Sequence, residues 1–409
     1  MMLWGAVLIV VVTVMPPQEQ ATTASAGTDL YDVTDLIRRI RGKTVTPEEQ
    51  EAPHDPGRPA YAIAPVLGYK PASGAFFGIG GNMAVLRGDP ATTHMSSTIV
   101  SATFSTKKQM SITARSNIVG ADNRWELDGD NRAQWTSQDT FGLGTTSSPD
   151  ARVNMRFDRF RFYETVSAKV YRSLLAGVGF HYSTNTNVEP RDEADESWSS
   201  SPYVTYTTAN GFPLEGQTSA GPGFTLEMDT RDSSINARRG WLAGASYRTF
   251  FNGFLGGDST WQELYLDGRT YRPLGRAGRH TLAFWFWGDL VTGGVAPYLD
   301  LPATGMDKYG RAGRGYAEGR LRGERLIYGE VEYRAALTRN GFMGLVAFLN
   351  TTSLSNRASG ERLFDNFATG AGAGFRLLLN KRSRTNLCAD FGWGRDGSRG
   401  FYLSVQEAF

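Results

Sequence analysis

The chain has 409 residues, enough for one large domain or two medium ones. Charged residues make up 21% of it and nearly cancel, to a formal +2, so the basic stripe of a nucleic-acid-binding protein is missing. The single cysteine, Cys388, excludes an intrachain disulfide and a cysteine-based metal cluster, while 48 glycines and 12% aromatics suit a barrel with a wet interior better than a helical membrane protein.

The one long apolar run spans Met1 to Met15, short for a spanning helix, and Ala24-Ser25-Ala26 follows as a small-x-small cleavage pattern. Residues 1–26 therefore read as a secretory signal peptide, with a retained N-terminal anchor as the alternative. Residues 27–60 read as a periplasmic helix and linker. Asp29 to Arg41 spaces Leu30, Val33, Leu36, Ile37 and Ile40 as a helix does, and Pro53, Pro56 and Pro59 mark an irregular stretch. The helix is read as a cap at the barrel mouth, against the alternatives of a docking helix or a lumen plug.

From Tyr61 to Phe409 the period changes to two, as expected for strands of a transmembrane β-barrel with one face to lipid and one to the lumen. About sixteen strands are expected: 61–70, 74–87, 94–106, 108–119, 122–135, 155–169, 172–184, 218–230, 240–252, 260–272, 279–292, 325–337, 342–352, 369–380, 385–394 and 399–409. Phe224, Leu226 and Met228 alternate with Thr225, Glu227 and Asp229. Ile327, Val331 and Tyr333 point outward, against Glu330, Glu332 and Arg334 inward. Leu387, Ala389, Phe391 and Trp393 oppose Asn386, Cys388, Asp390 and Gly392. Residues 185–217 and 293–324 read as long polar loops, with Tyr203 to Thr207 strand-like inside the first. Short links such as the one at Pro71 read as periplasmic turns. Trp125, Trp241, Trp261 and Trp393 near strand ends fit interfacial girdles. A soluble sandwich or solenoid would need these strands to share one apolar core, which their ionisable faces deny.

Two local patterns stand out. The first runs from Gly223 to Asp232 (GFTLEMDTRD) and on to Arg239-Gly240-Trp241, a polar strand-turn-strand link with Asp229, Arg231, Asp232 and Gly240 at its turn. The second is a loop carrying Arg314, Arg320 and Arg322, followed by a strand that turns Glu330 and Glu332 inward. An arginine fork binds carboxylates through parallel hydrogen bonds, so the loop is expected to fold back and pin itself to the inner wall. Chemistry of other kinds finds little support. His54, His94, His181 and His280 form no HExxH or close pair, no GxSxG elbow occurs, and no metal or cofactor is expected. His181 and Ser183 share one strand face, too little to make an enzyme the expectation. Asp267 and Asp229 have Arg269 and Arg231 within pairing distance and read, with Glu227, as lumen wall.

In this order the two patterns resemble the BamA/TamA family, the bacterial surface antigen barrels, over roughly residues 220–409. The resemblance implies a sixteen-stranded outer-membrane barrel of a type that inserts or translocates proteins. It implies that Arg314-Gly315-Tyr316 is the Arg-Gly-aromatic loop motif inserted into the lumen, that Glu332 is a wall partner, and that Phe348 is the inward aromatic. Asn350 stands where an Asp is usual, a departure that weakens the expected ion pair. Asp390 resembles a residue of the penultimate strand. Phe401, Leu403, Val405 and Phe409 look like the C-terminal assembly signal read by the barrel assembly machinery, which is general to outer-membrane barrels. Only about 35 residues separate the cleavage pattern from Tyr61, fewer than a mixed α/β domain needs, so the chain resembles a short branch without POTRA domains. The expected role is assistance to assembly or translocation of outer-membrane protein or lipid, with outer-membrane lipids and client outer-membrane proteins as partners. The alternative is a passive channel or structural surface protein.

Overall fold

A computed structural model describes residues 30–42, 59–70, 74–89, 92–192, 194–275, 279–381 and 384–409. The expected signal peptide and the linker prolines Pro53 and Pro56 lie outside them. Helix α1 is Val33–Ile40. The first eight strands are β1 (Ala60–Lys70), β2 (Gly74–Val85), β3 (Ser96–Ser105), β4 (Met110–Val119), β5 (Trp125–Thr140), β6 (Val153–Tyr171), β7 (Leu174–Pro190) and β8 (Gly216–Asp229). The rest are β9 (Gly240–Phe250), β10 (Trp261–Leu274), β11 (His280–Gly294), β12 (Arg325–Ala336), β13 (Met343–Ser355), β14 (Ala368–Asn380), β15 (Thr385–Gly394) and β16 (Arg399–Val405).

All sixteen strands form one antiparallel sheet in sequence order. The sheet curls until β1 and β16 have Cα atoms within 8 Å of each other. Among the described residues no backbone ladder joins those two strands, whereas every consecutive pair has one. No helix among the described residues is long and apolar enough to cross a membrane.

The polarity of the sheet is inverted relative to a soluble protein. Ile63, Val178, Phe224, Phe284, Phe286, Leu345, Leu349 and Trp393 are exposed on the outer wall, while Arg159, Glu263, Glu330, Glu332, Arg376 and Asp390 are buried inside. Exposed large apolar side chains recurring from strand to strand require an apolar medium, and strands whose main-chain groups pair with their neighbours can lie in one. The period-two pattern holds through β12 and β13, where Glu330 faces Asn350 and Glu332 faces Phe348 inside, while Val331 faces Leu349 outside.

Links after even-numbered strands share the rim of α1, here the N-terminal rim; links after odd-numbered strands form the opposite, loop rim. The long links 191–215 and 295–324 lie on the loop rim. So does the short β1–β2 link after Lys70, contrary to the expectation that brevity marks the N-terminal side; residues 71–73 themselves lie outside the described ones. Tyr203 to Thr207 is not strand-like but lies in helix α2, Pro202–Ala209, whose N-cap Ser201 accepts from the Val204 N–H. Residues 185–190 belong to β7 rather than to the loop. The second helix covers the loop end of the lumen, where Tyr203 stands edge-on to Tyr298, their ring centroids 5.5 Å apart. Trp125, Trp241 and Trp393 are exposed as girdle residues should be, but Trp261 is buried in this cap, stacked on Phe250 at 4.3 Å and donating to Ser219 Oγ.

Helix α1 opens with a capping box, Asp32 and Asp35 each accepting the other's main-chain N–H. It docks at the N-terminal rim. Asp32 accepts from the Lys381 N–H, Lys381 Nζ pairs with Asp35 at 2.8 Å, the Tyr31 N–H donates to the Asn340 carbonyl, and the Tyr31 ring sits edge-on to Phe342. These ties are peripheral to the barrel ladder. Deleting residues 29–41 is expected to cost about 1–2 kcal/mol and leave a folded, heat-modifiable barrel on gel electrophoresis; complete loss of folding would show the helix to be part of the core.

Candidate functional site

The link 295–324 does not stand in solvent. It turns into the lumen, and Tyr298, Leu299, Leu301, Ala312, Arg314, Tyr316, Leu321 and Arg322 are all buried there. At its tip Arg314 is 2% exposed. The guanidinium bonds three carboxylates from two strands of the wall: Glu330 and Glu332 of β12, and Asp390 of β15 at 2.8 Å. The Phe348 ring centroid lies 3.7 Å from its Cζ, a cation–π contact in a site closed to water.

The wall is built for this approach. Gly315 has φ +107°, and a Cβ there would come within 2.8 Å of the Trp393 main chain. Opposite it, Gly392 has no room for a side chain because Gly315 N would be 2.8 Å away. Tyr402 fastens the same turn, accepting from the Gly315 N–H at 3.1 Å and donating to the Tyr316 carbonyl at 2.9 Å. Tyr316 in turn donates to the Thr369 carbonyl at 2.6 Å and accepts from the Arg395 N–H at 2.9 Å.

Charge continues past Arg314. Arg334 donates to Glu332 at 2.7 Å, and Arg376 pairs with Asp390 and, at 2.7 Å, with Glu407. Tyr328 donates to Glu330. Asn350, expected from the resemblance to weaken the ion pair, donates Nδ2 to the Arg314 carbonyl at 2.9 Å. A carboxylate could not make that bond. The other two loop arginines are placed elsewhere than on the Glu330–Glu332 wall. Arg320 bonds Ser147, and Arg322 donates to the Tyr298 and Leu301 carbonyls at 2.8 and 3.1 Å, tying the loop to itself.

The strand-turn pattern lies at the other mouth. Arg231 grips Asp229 with Nη2–Oδ2 at 2.7 Å, and Gly240, at φ +97°, has Thr230 O 2.3 Å from where a Cβ would stand. Asp232 accepts from the Arg238 and Arg239 N–H groups and pairs with Arg384 at 2.8 Å, so this link reaches the β14–β15 turn. Ala237 of the same link packs in the core cluster with Phe409 and Tyr271. Phe401, Leu403 and Val405 lie on the outer row as expected, but Phe409 does not. The strand ends at Val405, and the chain turns in, burying Phe409 against Trp285 at 5.3 Å between centroids, with its main-chain oxygen accepting from Arg334 at 2.8 Å. Arg269 pairs with Asp267 at 2.6 Å, while Ser183 donates to Asp300 at 3.1 Å and His181 sits edge-on to Tyr163.

Sequence reasoning found Arg314, Glu330, Glu332, Phe348, Asn350 and Asp390. It missed Arg376, Glu407, Tyr328 and Tyr402. It also missed the inward glycines Gly370, Gly372 and Gly374 of β14, each backed by a loop or wall atom closer than 3 Å to its absent Cβ. Glycine at period two in that strand was the available signal, since a strand interior glycine often marks a place where another group approaches the backbone closely.

Two outcomes follow from these bonds. Arg314→Ala strands Glu330, the carboxylate with no second arginine, and is expected to cost about 3–5 kcal/mol in denaturant unfolding, with earlier loss of heat-modifiability. Lysine at 314 should not rescue it, because one ammonium cannot fork to three carboxylates; Glu330→Gln in the alanine background should recover part of the loss. Burial alone would raise the Asp232 carboxyl, but the Arg238 N–H, the Arg384 guanidinium and the Arg239 N–H outweigh it and hold the group below its ordinary value. Its stabilising contribution is therefore present above the unfolded-state pKa of 3.8 and lost as pH falls through the lower folded value. Asp232→Asn should destabilise the barrel at pH 7, and the difference from the parent protein should shrink as pH falls below 3.8, in parallel denaturant titrations.

No family model and no curated protein matches the sequence. Solved structures do share the fold. BamA from Haemophilus ducreyi lacking POTRA domains 1–3 superposes with a TM-score of 0.57 at 13% identity, over 85% of this chain and 70% of that one. CdiB from Acinetobacter baumannii gives 0.52 at 12% identity, over 85% and 59%, and CdiB from Escherichia coli 0.52 at 10%, over 87% and 63%. This chain thus spans less than two thirds of either CdiB. At such identities the likeness is one of fold: a sixteen-stranded barrel of the BamA and CdiB type.

Proposed function

We propose that the protein is an integral outer-membrane barrel, closed to passive flow by its own loop, that assists the assembly or translocation of outer-membrane protein or lipid. The observation that carries this reading is the loop held in the lumen by Arg314 on Glu330, Glu332 and Asp390. A passive channel needs an open path, and here the loop fills the lumen from one end while the 230–239 link and the inturned Phe409 cover the other. The working surfaces left are the outer wall and the meeting of β1 with β16. Strand edges without a ladder partner are templates for pairing with an incoming strand, and an unladdered seam also perturbs the lipid beside it. Lipid and client outer-membrane proteins are the partners this predicts, with the barrel assembly machinery acting on the chain during its own biogenesis.

The test has two readouts on the purified protein. In planar bilayers the intact barrel is expected to conduct little or in flickers, and a variant lacking residues 309–320 to conduct strongly. In phospholipid vesicles the intact barrel is expected to speed insertion of a urea-denatured outer-membrane barrel. Large, steady conductance from the intact protein would make it a channel. Low conductance without any acceleration would leave a structural surface protein.

A further inference from the structure

The outer wall from β9 to β13 carries a groove of about 650 Å³. Its floor is Gly268 of β10 and Gly329 of β12, and its sides are Trp241, Phe284, Phe286 and Leu349. Phe286 is paired in register with both glycines, so one aromatic stands between two gaps in the belt. These glycines differ in kind from those under the loop. A Cβ at Gly268 would meet nothing nearer than Phe286 at 3.8 Å, and one at Gly329 nothing nearer than Thr351 at 4.0 Å. Neither has a positive φ. Turn geometry and close packing therefore do not call for glycine at either place, and what its absence of a side chain preserves is the space itself.

The groove has a chemically distinct end. Trp241 and Thr270 are paired across β9 and β10. Two residues further toward the N-terminal rim, on the same outer row of β10, stands Arg272; the ladder ends at Tyr271 opposite Gly240, and Arg239 precedes that glycine in the link, both arginines being exposed. Among the described residues neither has a carboxylate partner, and Asp232, the acid of that link, is engaged by Arg384. From Gly268 to Arg272 is four strand residues, about 13 Å. An apolar slot in the lipid belt thus runs down to a rim carrying two exposed arginines at the level of the headgroups, where arginine forks match phosphate oxygens.

We propose that this groove is a binding site for one anionic phospholipid, with an acyl chain lying over Gly268 and Gly329 and the phosphate between Arg239 and Arg272. The site rests on the membrane placement of the barrel and not on an assembly role, so the conductance and insertion experiments above can fail without touching it. Continuity with the lipid-facing belt and the unpaired charge at one end select a lipid over a protein segment.

The test is native mass spectrometry of the full chain, released from neutral detergent after equilibration with equal amounts of phosphatidylglycerol and phosphatidylcholine. The wild type is expected to retain one phosphatidylglycerol in preference. Arg239→Gln and Arg272→Gln should each lower that preference about fivefold. Gly268→Leu and Gly329→Leu, singly and together, should lower retention of both lipids while heat-modifiability on gels stays unchanged; Gly329→Val supplies the same filling if the leucine variants fold poorly. A wild type indifferent to headgroup would overturn the proposal. So would retention that ignores the glycine variants, or a dimer peak that disappears when the groove is filled, which would make the occupant a second copy of the chain.

Discussion

A guanidinium taken out of water must find carboxylates, and in this barrel one guanidinium finds three. Arg314 sits on a loop, yet its partners Glu330, Glu332 and Asp390 are fixed to strands by backbone ladders, so the position of the loop is dictated by the wall. Much else in the interior is arranged around that demand. Glycine rows in β14 and β15 let the loop backbone come close, Tyr402 and Tyr316 bond its turn, and Phe348 closes the remaining face of the cation. The cost of desolvating such charges is several kcal/mol each, which makes the arrangement all-or-none. A loop that leaves the wall abandons buried carboxylates, and a wall that loses one of them strands the arginine.

The network links the two ends of the lumen. From Glu332 it passes to Arg334 and on to the main-chain oxygen of Phe409; from Asp390 it passes to Arg376 and Glu407. Both routes end in the short segment after β16 that turns inward at the N-terminal rim. The loop at one mouth and the chain segment at the other are therefore held by the same set of charges. Strand β16 lies between them, spanning only Arg399–Val405 against Ala60–Lys70 for β1. The strand that carries no ladder to its neighbour on one side is braced instead through what lies before and after it.

How far this was legible in sequence depended on how local each constraint is. Period-two alternation is a property of each strand by itself, and all sixteen strands and some of their inward charges, Glu330, Glu332 and Asp390 among them, could be read from it, though not Arg376 of β14. The capping box of α1 is equally local. Arg314 and Glu332 were legible through a motif whose residues lie close together in the chain. Phe409 was misplaced because alternation was extended past Val405, where the strand ends and a partner far away in sequence, Arg334, turns the chain inward. Trp261 was misplaced for the same reason: its stacking on Phe250 and its bond to Ser219 belong to the cap at the loop rim and not to the strand. Tyr203 to Thr207, rich in β-formers, became a helix because Ser201 caps it and Tyr298 receives it. Tertiary context overrode propensity there.

Asn350 faces both the loop and the acid-rich wall. The resemblance seen in sequence made it a loss, a neutral side chain where an Asp was expected, weakening an ion pair. The structure gives it a different weight. The buried cluster already holds Glu330, Glu332, Asp390 and Glu407 against Arg314, Arg334 and Arg376, and the excess of acid is relieved by neutral donors, Tyr328 on Glu330 and Asn386 on Glu407. A fifth carboxylate at position 350 would deepen that excess in a site closed to water, beside Glu330, its register partner. The amide brings a donor instead, and spends it on the carbonyl of Arg314 itself. The departure from the pattern thus keeps the loop fastened by changing the kind of bond, from charge on the guanidinium to a hydrogen bond on the backbone that carries it.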